Sequence, residues 1–144
     1  MICWPRKCVM KFQPTFYLSG VLLPIVNCYE YLGYTICNDQ QDNDEMMKRV
    51  RKLYGTGNMI ISKFKNCPDE VKTMIFRTYF SNIYCCPLWS GYNVGTFARL
   101  KVAHNDIFRS LLNQRRDASA SQLFVSHNVK NLNSMIRTSM CSFL

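Results

Sequence analysis

The feature that most constrains this chain is the stretch 29–72, where a β-prone run, an acidic turn and a long basic amphipathic segment follow one another directly. The run Tyr29-Glu30-Tyr31-Leu32-Gly33-Tyr34-Thr35-Ile36 is largely aromatic and β-branched, with Gly33 inside it. A glycine in such a run marks a bulge or a place where another backbone comes close. Read as one strand, it splits into two alternating sets, and Leu32, Tyr34 and Ile36 form the expected core side. The acidic turn ends in Asp42, Asp44 and Glu45, and a helix is expected over 42–66. Met46, Val50, Leu53, Gly57, Ile60 and Phe64 recur at steps of three and four, which places them on one helical face. Lys48, Arg51, Lys52 and Lys63 fall on the opposite face. The acids sit at the helix N-terminus, where the macrodipole favours negative charge. Gly55 and Gly57 weaken the middle and invite a kink. The basic face is either a solvated surface or a phosphate contact. With no acid between Glu45 and Asp69, the second reading gains weight.

Before this stretch, Met1-Ile2-Cys3-Trp4 reads as the tail of a strand that begins further upstream, broken by Pro5. Phe16-Tyr17-Leu18 and Val21-Leu22-Leu23 flank Ser19-Gly20, the pattern of a tight hairpin, and Pro24 suits the end of an edge strand. After the stretch, Pro68 with Asp69-Glu70 opens a second helix, expected over 68–89. Val71, Ile75, Cys86, Met74, Phe76, Phe80, Ile83 and Leu88 make it apolar over most of its girth. It is therefore the expected centre of the helical part, kinked or ended by Pro87. A third helix, capped by Thr96 and expected over 97–112, carries the stripe Leu100, Ala103, Ile107, Phe108, Leu111 and Leu112. His104 is expected at the rim of that stripe. Arg99, Lys101, Arg109, Arg115 and Arg116 form a second basic cluster around it. Ser119-Ala120-Ser121-Gln122 matches a capping box and predicts a short fourth helix. Asn128 or Asn131 caps a fifth, over 132–141. The expected fold class is α+β, mostly α: a small antiparallel β part over 1–37, then a bundle of about five helices over 38–144.

With 144 residues, 48% of them hydrophobic, the chain can bury a core and is not disordered by composition. Lys and Arg number 18 against 9 acids, a net charge of +9, which points to a polyanionic partner, nucleic acid before membrane. No apolar run spans a bilayer and no secretory h-region is visible, so cytoplasmic or nuclear residence is expected. The eight cysteines show no two-residue spacing, and both histidines lie far from most of them. They are expected to be reduced thiols; neither a metal nor a cofactor is expected.

Phe16-Tyr17-Leu18-Ser19-Gly20 followed by the run at 29–36 resembles the segment after the catalytic aspartates of reverse transcriptases from non-LTR (LINE-like) retrotransposons. There an aromatic-Leu-Gly turn forms the primer grip at the base of the palm. Arg49-Val50-Arg51-Lys52-Leu53-Tyr54, the run Val71 through Tyr79, Pro87-Leu88-Trp89 and Leu100 through Arg109 resemble, in order and spacing, the thumb and post-thumb region of these enzymes. The resemblance implies a palm-sheet remnant over 1–37 and a thumb-like domain over 38–144. It implies a primer-grip role for Tyr31, Leu32 and Gly33, and phosphate contacts from Lys48, Arg51, Lys52 and Lys63 to a template–primer duplex. The departure is the polymerase centre: the family holds two magnesium ions on palm carboxylates that include an adjacent Asp pair, and this sequence has no Asp-Asp pair. No catalytic residue is assigned, and no enzymatic activity is expected of the isolated chain. The expected partners are nucleic acid, and a separate palm and fingers portion or a second copy. The alternative is a helical protein-interaction module or an inert domesticated fragment.

Overall fold

Two dipeptides set the shape of the β part. The computed structural model describes residues 2–3, 15–39, 41–81, 83 and 86–143. Strands β2 (Tyr17–Leu18) and β3 (Val21–Leu22) pair antiparallel around Ser19 and Gly20, at φ +50° and +79°. Positive φ at both central residues is the two-residue turn whose twist matches that of paired strands. The next hairpin repeats the device. Strands β5 (Cys28–Tyr31) and β6 (Tyr34–Cys37) pair around Leu32 and Gly33, at φ +48° and +77°. Between them, β4 (Ile25–Val26) pairs in parallel with β1 (Ile2–Cys3). Met1 and Trp4 lie outside the described residues.

The single strand expected over 29–36 is thus a hairpin, and Gly33 belongs to its turn rather than to a bulge. Its expected core side is corrected accordingly. Leu32 is 74% exposed at the tip and Ile36 is exposed as well; of the three, Tyr34 packs against the core. A turn at Leu32-Gly33 resets the alternation, so the even-numbered set no longer shares one face.

Helix α1 (Asn43–Lys63) runs unbroken through Gly55 and Gly57. It packs chiefly on α3 (Val94–Leu111). Gly57 marks their closest approach, for a Cβ there would lie 2.9 Å from Ile107 Cγ1. The α3 stripe of Leu100, Ala103, Ile107, Phe108 and Leu111, with Leu112 just beyond the helix, is buried throughout.

Helix α2 (Asp69–Phe80) corrects the expectation of a long central helix. It ends at Phe80, and a 3-10 turn at Cys86–Leu88 follows. Pro87 does not account for this stop: its ring crowds the carbonyl four residues back, at Ile83, and the helix has already ended three residues earlier. Only Lys72, Thr73, Phe76 and Phe80 of α2 are buried, while Met74 and Tyr79 face solvent. The centre of the helical part is α3. It contributes to a cluster with Met46, Val50, Trp89 and Leu132 and to a second with Ile60, Phe76, Phe80 and Phe124. In the second cluster Phe108 stacks on Phe124 at 4.7 Å and meets Phe76 at 4.5 Å. His104 lies among these rings, not at the rim. It is 0% exposed, 5.0 Å from Phe76 and 5.5 Å from Phe124.

The remaining ends follow local rules. Ser119 caps α4 (Ala120–Ser126) by accepting from the Gln122 amide at 3.5 Å. Asn131 caps α5 (Leu132–Phe143) by accepting from the Ser134 amide at 2.9 Å. Asn113 and Asn128, both left-handed, end α3 and α4. In each, the amide after the Asn returns to a carbonyl five residues back, Gln114 to Arg109 and Val129 to Phe124, both at 2.8 Å. These are Schellman closures with Asn in the usual glycine place. Arg77 adds hydrogen bonds to the His127 and Asn128 carbonyls at 2.7 and 2.9 Å.

Candidate nucleic-acid interface

The β5–β6 hairpin is docked on the first half of α1 by polar contacts. Glu45, 1% exposed, accepts from the Thr35 amide at 3.0 Å and pairs with Arg49 one turn on. Arg49 is also buried and donates Nη2–H to the Gly33 carbonyl at 3.1 Å. The turn backbone is therefore held by a guanidinium from the helix beneath it. Tyr34 donates its hydroxyl to Asp42, and Asp42 also accepts from the Ser90 and Gly91 amides at 2.8 and 2.9 Å. Asp42 thereby joins hairpin, helix start and the loop before α3. Asp42 and Glu45 at the start of α1 thus do more than complement a dipole.

This clamp leaves the tip outward. Tyr31 is 59% exposed, Leu32 still more so, and Gly33 holds the positive φ that closes the turn. The three residues expected to act as a grip are contiguous on one turn. The expected phosphate contacts divide. Lys48 is drawn into an ion pair with Glu30 of β5, at 2.7 Å. Arg51, Lys52 and Lys63 are exposed, as their helical spacing requires. Lys52 and Lys63 are eleven residues apart, about three turns or roughly 16 Å along one side of α1. Arg49 and Lys52 also line a groove of about 150 Å³ between α1 and α2, together with Thr56 and Tyr79.

The second basic cluster is less available. Arg109 is engaged by the Ala118 carbonyl at 2.8 Å and by Asp106 at 3.1 Å, and Arg115 pairs with Asp117 at 3.2 Å. Arg99, Lys101 and Arg116 are exposed. Beside it, burial raises the Tyr54 phenol above its ordinary pKa, and the charge of Asp106 raises it further.

The centre of this arrangement is Arg49, which in the sequence is one member of a basic run. Its spacing of four from Glu45 is the signal that marks it. The expectation of reduced cysteines is corrected at one pair: Cys28 and Cys37, opposed in the hairpin register with Cα atoms 4.1 Å apart, form a disulfide. They occupy a non-hydrogen-bonded position, where facing side chains of an antiparallel pair come closest. No helix among the described residues is long and apolar enough to cross a membrane. Compared with protein-family models, curated proteins and solved structures, the chain matches none of them.

Proposed function

We propose that this chain grips a nucleic-acid duplex, as the sheet edge and thumb-like part of a reverse transcriptase of the non-LTR type, without a catalytic centre of its own. The observation that carries the reading is the hairpin tip Tyr31-Leu32-Gly33, presented outward by Arg49 from the same helix that bears Arg51, Lys52 and Lys63. An exposed aromatic-Leu tip offers a flat apolar surface to a terminal base pair or sugar. The adjacent cations attract the phosphates without reading sequence. Leu32 takes a positive φ that a leucine seldom adopts, and the Arg49 bond to the Gly33 carbonyl holds the turn there.

The test is the salt dependence of binding to a primed duplex. Each phosphate neutralised contributes roughly 0.9 to the slope of log K against log salt on B-form DNA. Replacing Arg51, Lys52 and Lys63 with Ala is expected to flatten it by about three units. Adding Lys48→Ala should change it little, because Lys48 already faces Glu30. Replacing Arg99, Lys101 and Arg116 removes the same charge and is expected to flatten the slope less. Equal losses in the two triple variants would mean unspecific attraction to a basic protein and would end the grip reading. Primer extension with magnesium or manganese is expected to be absent. Extension that vanished on mutating a carboxylate of this chain would overturn the proposal.

A second reading rests on a different observation. Tyr17, Leu18, Val21 and Leu22 of the first hairpin are all more than half exposed, an apolar surface that suits a protein partner. In that reading the chain is an interaction module, and concentration-dependent self-association without nucleic acid would favour it.

A further inference from the structure

We infer that, once Cys28 and Cys37 are reduced, the base of the β5–β6 hairpin and the first turn of α1 form a site for a thiophilic divalent cation, with Cys28, Cys37 and Asp44 as ligands. One donor atom from each residue, two sulfurs and a carboxylate oxygen, lies within 4.8 Å of the others. The two cysteines come from directly opposed positions of one hairpin, and Asp44 comes from a separate element. Their convergence depends on the clamp that docks hairpin to helix through Glu45, Arg49 and Asp42.

The contact between Cys37 and Asp44 gives the site its sense. Cys37 Sγ lies 3.7 Å from Asp44 Oδ2. A disulfide sulfur has no proton to donate, so in the oxidised chain a carboxylate faces a sulfur that offers it nothing. In the reduced chain the same oxygen can accept from the thiol or share a cation with the thiolate. Lys48, one turn beyond Asp44 and the nearest basic residue along that side of α1, is turned towards Glu30 and does not supply the counter-charge. Two thiolates and a carboxylate place three negative charges at one corner of a chain whose net charge is +9.

The donor set selects the metal. Thiolates favour zinc and its analogues over magnesium or calcium, and three protein ligands leave the fourth tetrahedral position to water. Zinc–sulfur bonds of about 2.3 Å need the sulfurs roughly 3.8 Å apart, which cysteines opposed across a hairpin reach by side-chain rotation. The electron balance is simple. A phosphine reductant takes up the oxygen of one water and leaves two thiols; binding the cation then releases their two protons to solvent. A bound cation would lock the hairpin base to α1, with no requirement that the chain bind nucleic acid.

The experiment is an anaerobic titration of the full, phosphine-reduced chain with cobalt(II), followed by zinc. The expected result is a tetrahedral thiolate–cobalt absorption that saturates at one ion per chain and is displaced by zinc. Cys28→Ser and Cys37→Ser should each abolish it. Asp44→Asn, at an exposed position, should weaken binding at least about tenfold, while the metal-free melt falls only by the small loss of one charge at the helix N-terminus. The variant with the other six cysteines, Cys3, Cys8, Cys67, Cys85, Cys86 and Cys141, replaced by Ser should keep the absorption. Three results would overturn the site: no tetrahedral spectrum, a spectrum that persists without Cys28 and Cys37, or full affinity in Asp44→Asn.

Discussion

Acid should weaken this fold through one side chain, His104. It lies fully buried between Phe76 and Phe124, and neither ring nitrogen has a hydrogen-bond partner. Burial alone lowers its pKa from 6.5 to about 4. The unfolded chain therefore takes a proton near pH 6.5, whereas the folded chain refuses it until about pH 4. Stability is full above the upper value, falls as pH drops between the two, and has lost its whole share below the lower one. The complete shift corresponds to about 3 kcal/mol, and the part lost between about pH 7.5 and pH 5 is about 2 kcal/mol. For a domain of this size that moves a urea midpoint by about 1 M. His104→Leu keeps the volume close, removes the two unpaired nitrogens and cannot titrate. Equilibrium urea unfolding of both proteins at the two pH values isolates the contribution, since the carboxylates are common to both. The variant is expected to be about 2 kcal/mol less sensitive to acid than the native chain. Equal pH sensitivity in the two proteins would refute the reasoning, because it would mean that His104 reaches a proton acceptor or solvent in the folded state.

Two glycines of α1 should respond with opposite signs to the same change. Gly57→Ala is expected to cost about 1–3 kcal/mol, because the new methyl meets Ile107 between two packed helices; Gly55→Ala, with nothing within 4 Å, should gain up to about 1 kcal/mol of helix propensity. Thermal melts of the pair check this, and a shared sign would mean that α1 and α3 are not packed this closely. Arg49→Met should destabilise by about 3–5 kcal/mol by stranding the buried Glu45 carboxylate. Adding Glu45→Leu should recover much of that loss in denaturant titrations, and no recovery would show that the ion pair is not the source. Phe76→Asp should unfold the chain at room temperature, since it puts an unpaired charge at the meeting point of Phe80, Phe108 and Phe124. A native circular dichroism spectrum for that variant would contradict this aromatic core.

The helical part was legible because its apolar residues keep the 3.6-residue period, and Ser119 and Asn131 cap α4 and α5 as their sequence suggests; Thr96, expected to cap the third helix, lies inside α3, which starts after Asn93. The α3 stripe needed no tertiary information. His104 was legible too, and was misread: it lies four residues from both Leu100 and Phe108, squarely on the stripe, and polarity alone argued for the rim. The second hairpin was misread for another reason. Leucine seldom adopts positive φ, so Leu32-Gly33 does not look like a turn to local rules, and only the cross-strand pairing of Tyr31 with Tyr34 makes it one. The early end of α2 was not visible, since the Pro87 that argued for a break acts no further upstream than Ile83, after the helix has ended at Phe80. The clamp was beyond reach, because Asp42 meets partners 48 and 49 positions away and no local pattern encodes such pairs.

The way the hairpin is fastened has a consequence for how the molecule opens. Its strands bury little apolar surface, and its anchors to α1 are hydrogen bonds and one ion pair. Such anchors are directional and short-ranged: they define orientation sharply while intact, and yield nothing once broken. Apolar packing between α1 and α3 instead weakens gradually as the helices separate. The hairpin and the helices therefore belong to different cooperative units, with the hairpin at the low end of the opening free energies. The Cys28–Cys37 bridge closes only a ten-residue loop, so it holds the two strands to each other and leaves the hinge against α1 untouched. Pulled at its tip, the hairpin would swing as one piece, with the Gly33 carbonyl and the Thr35 amide as its latch.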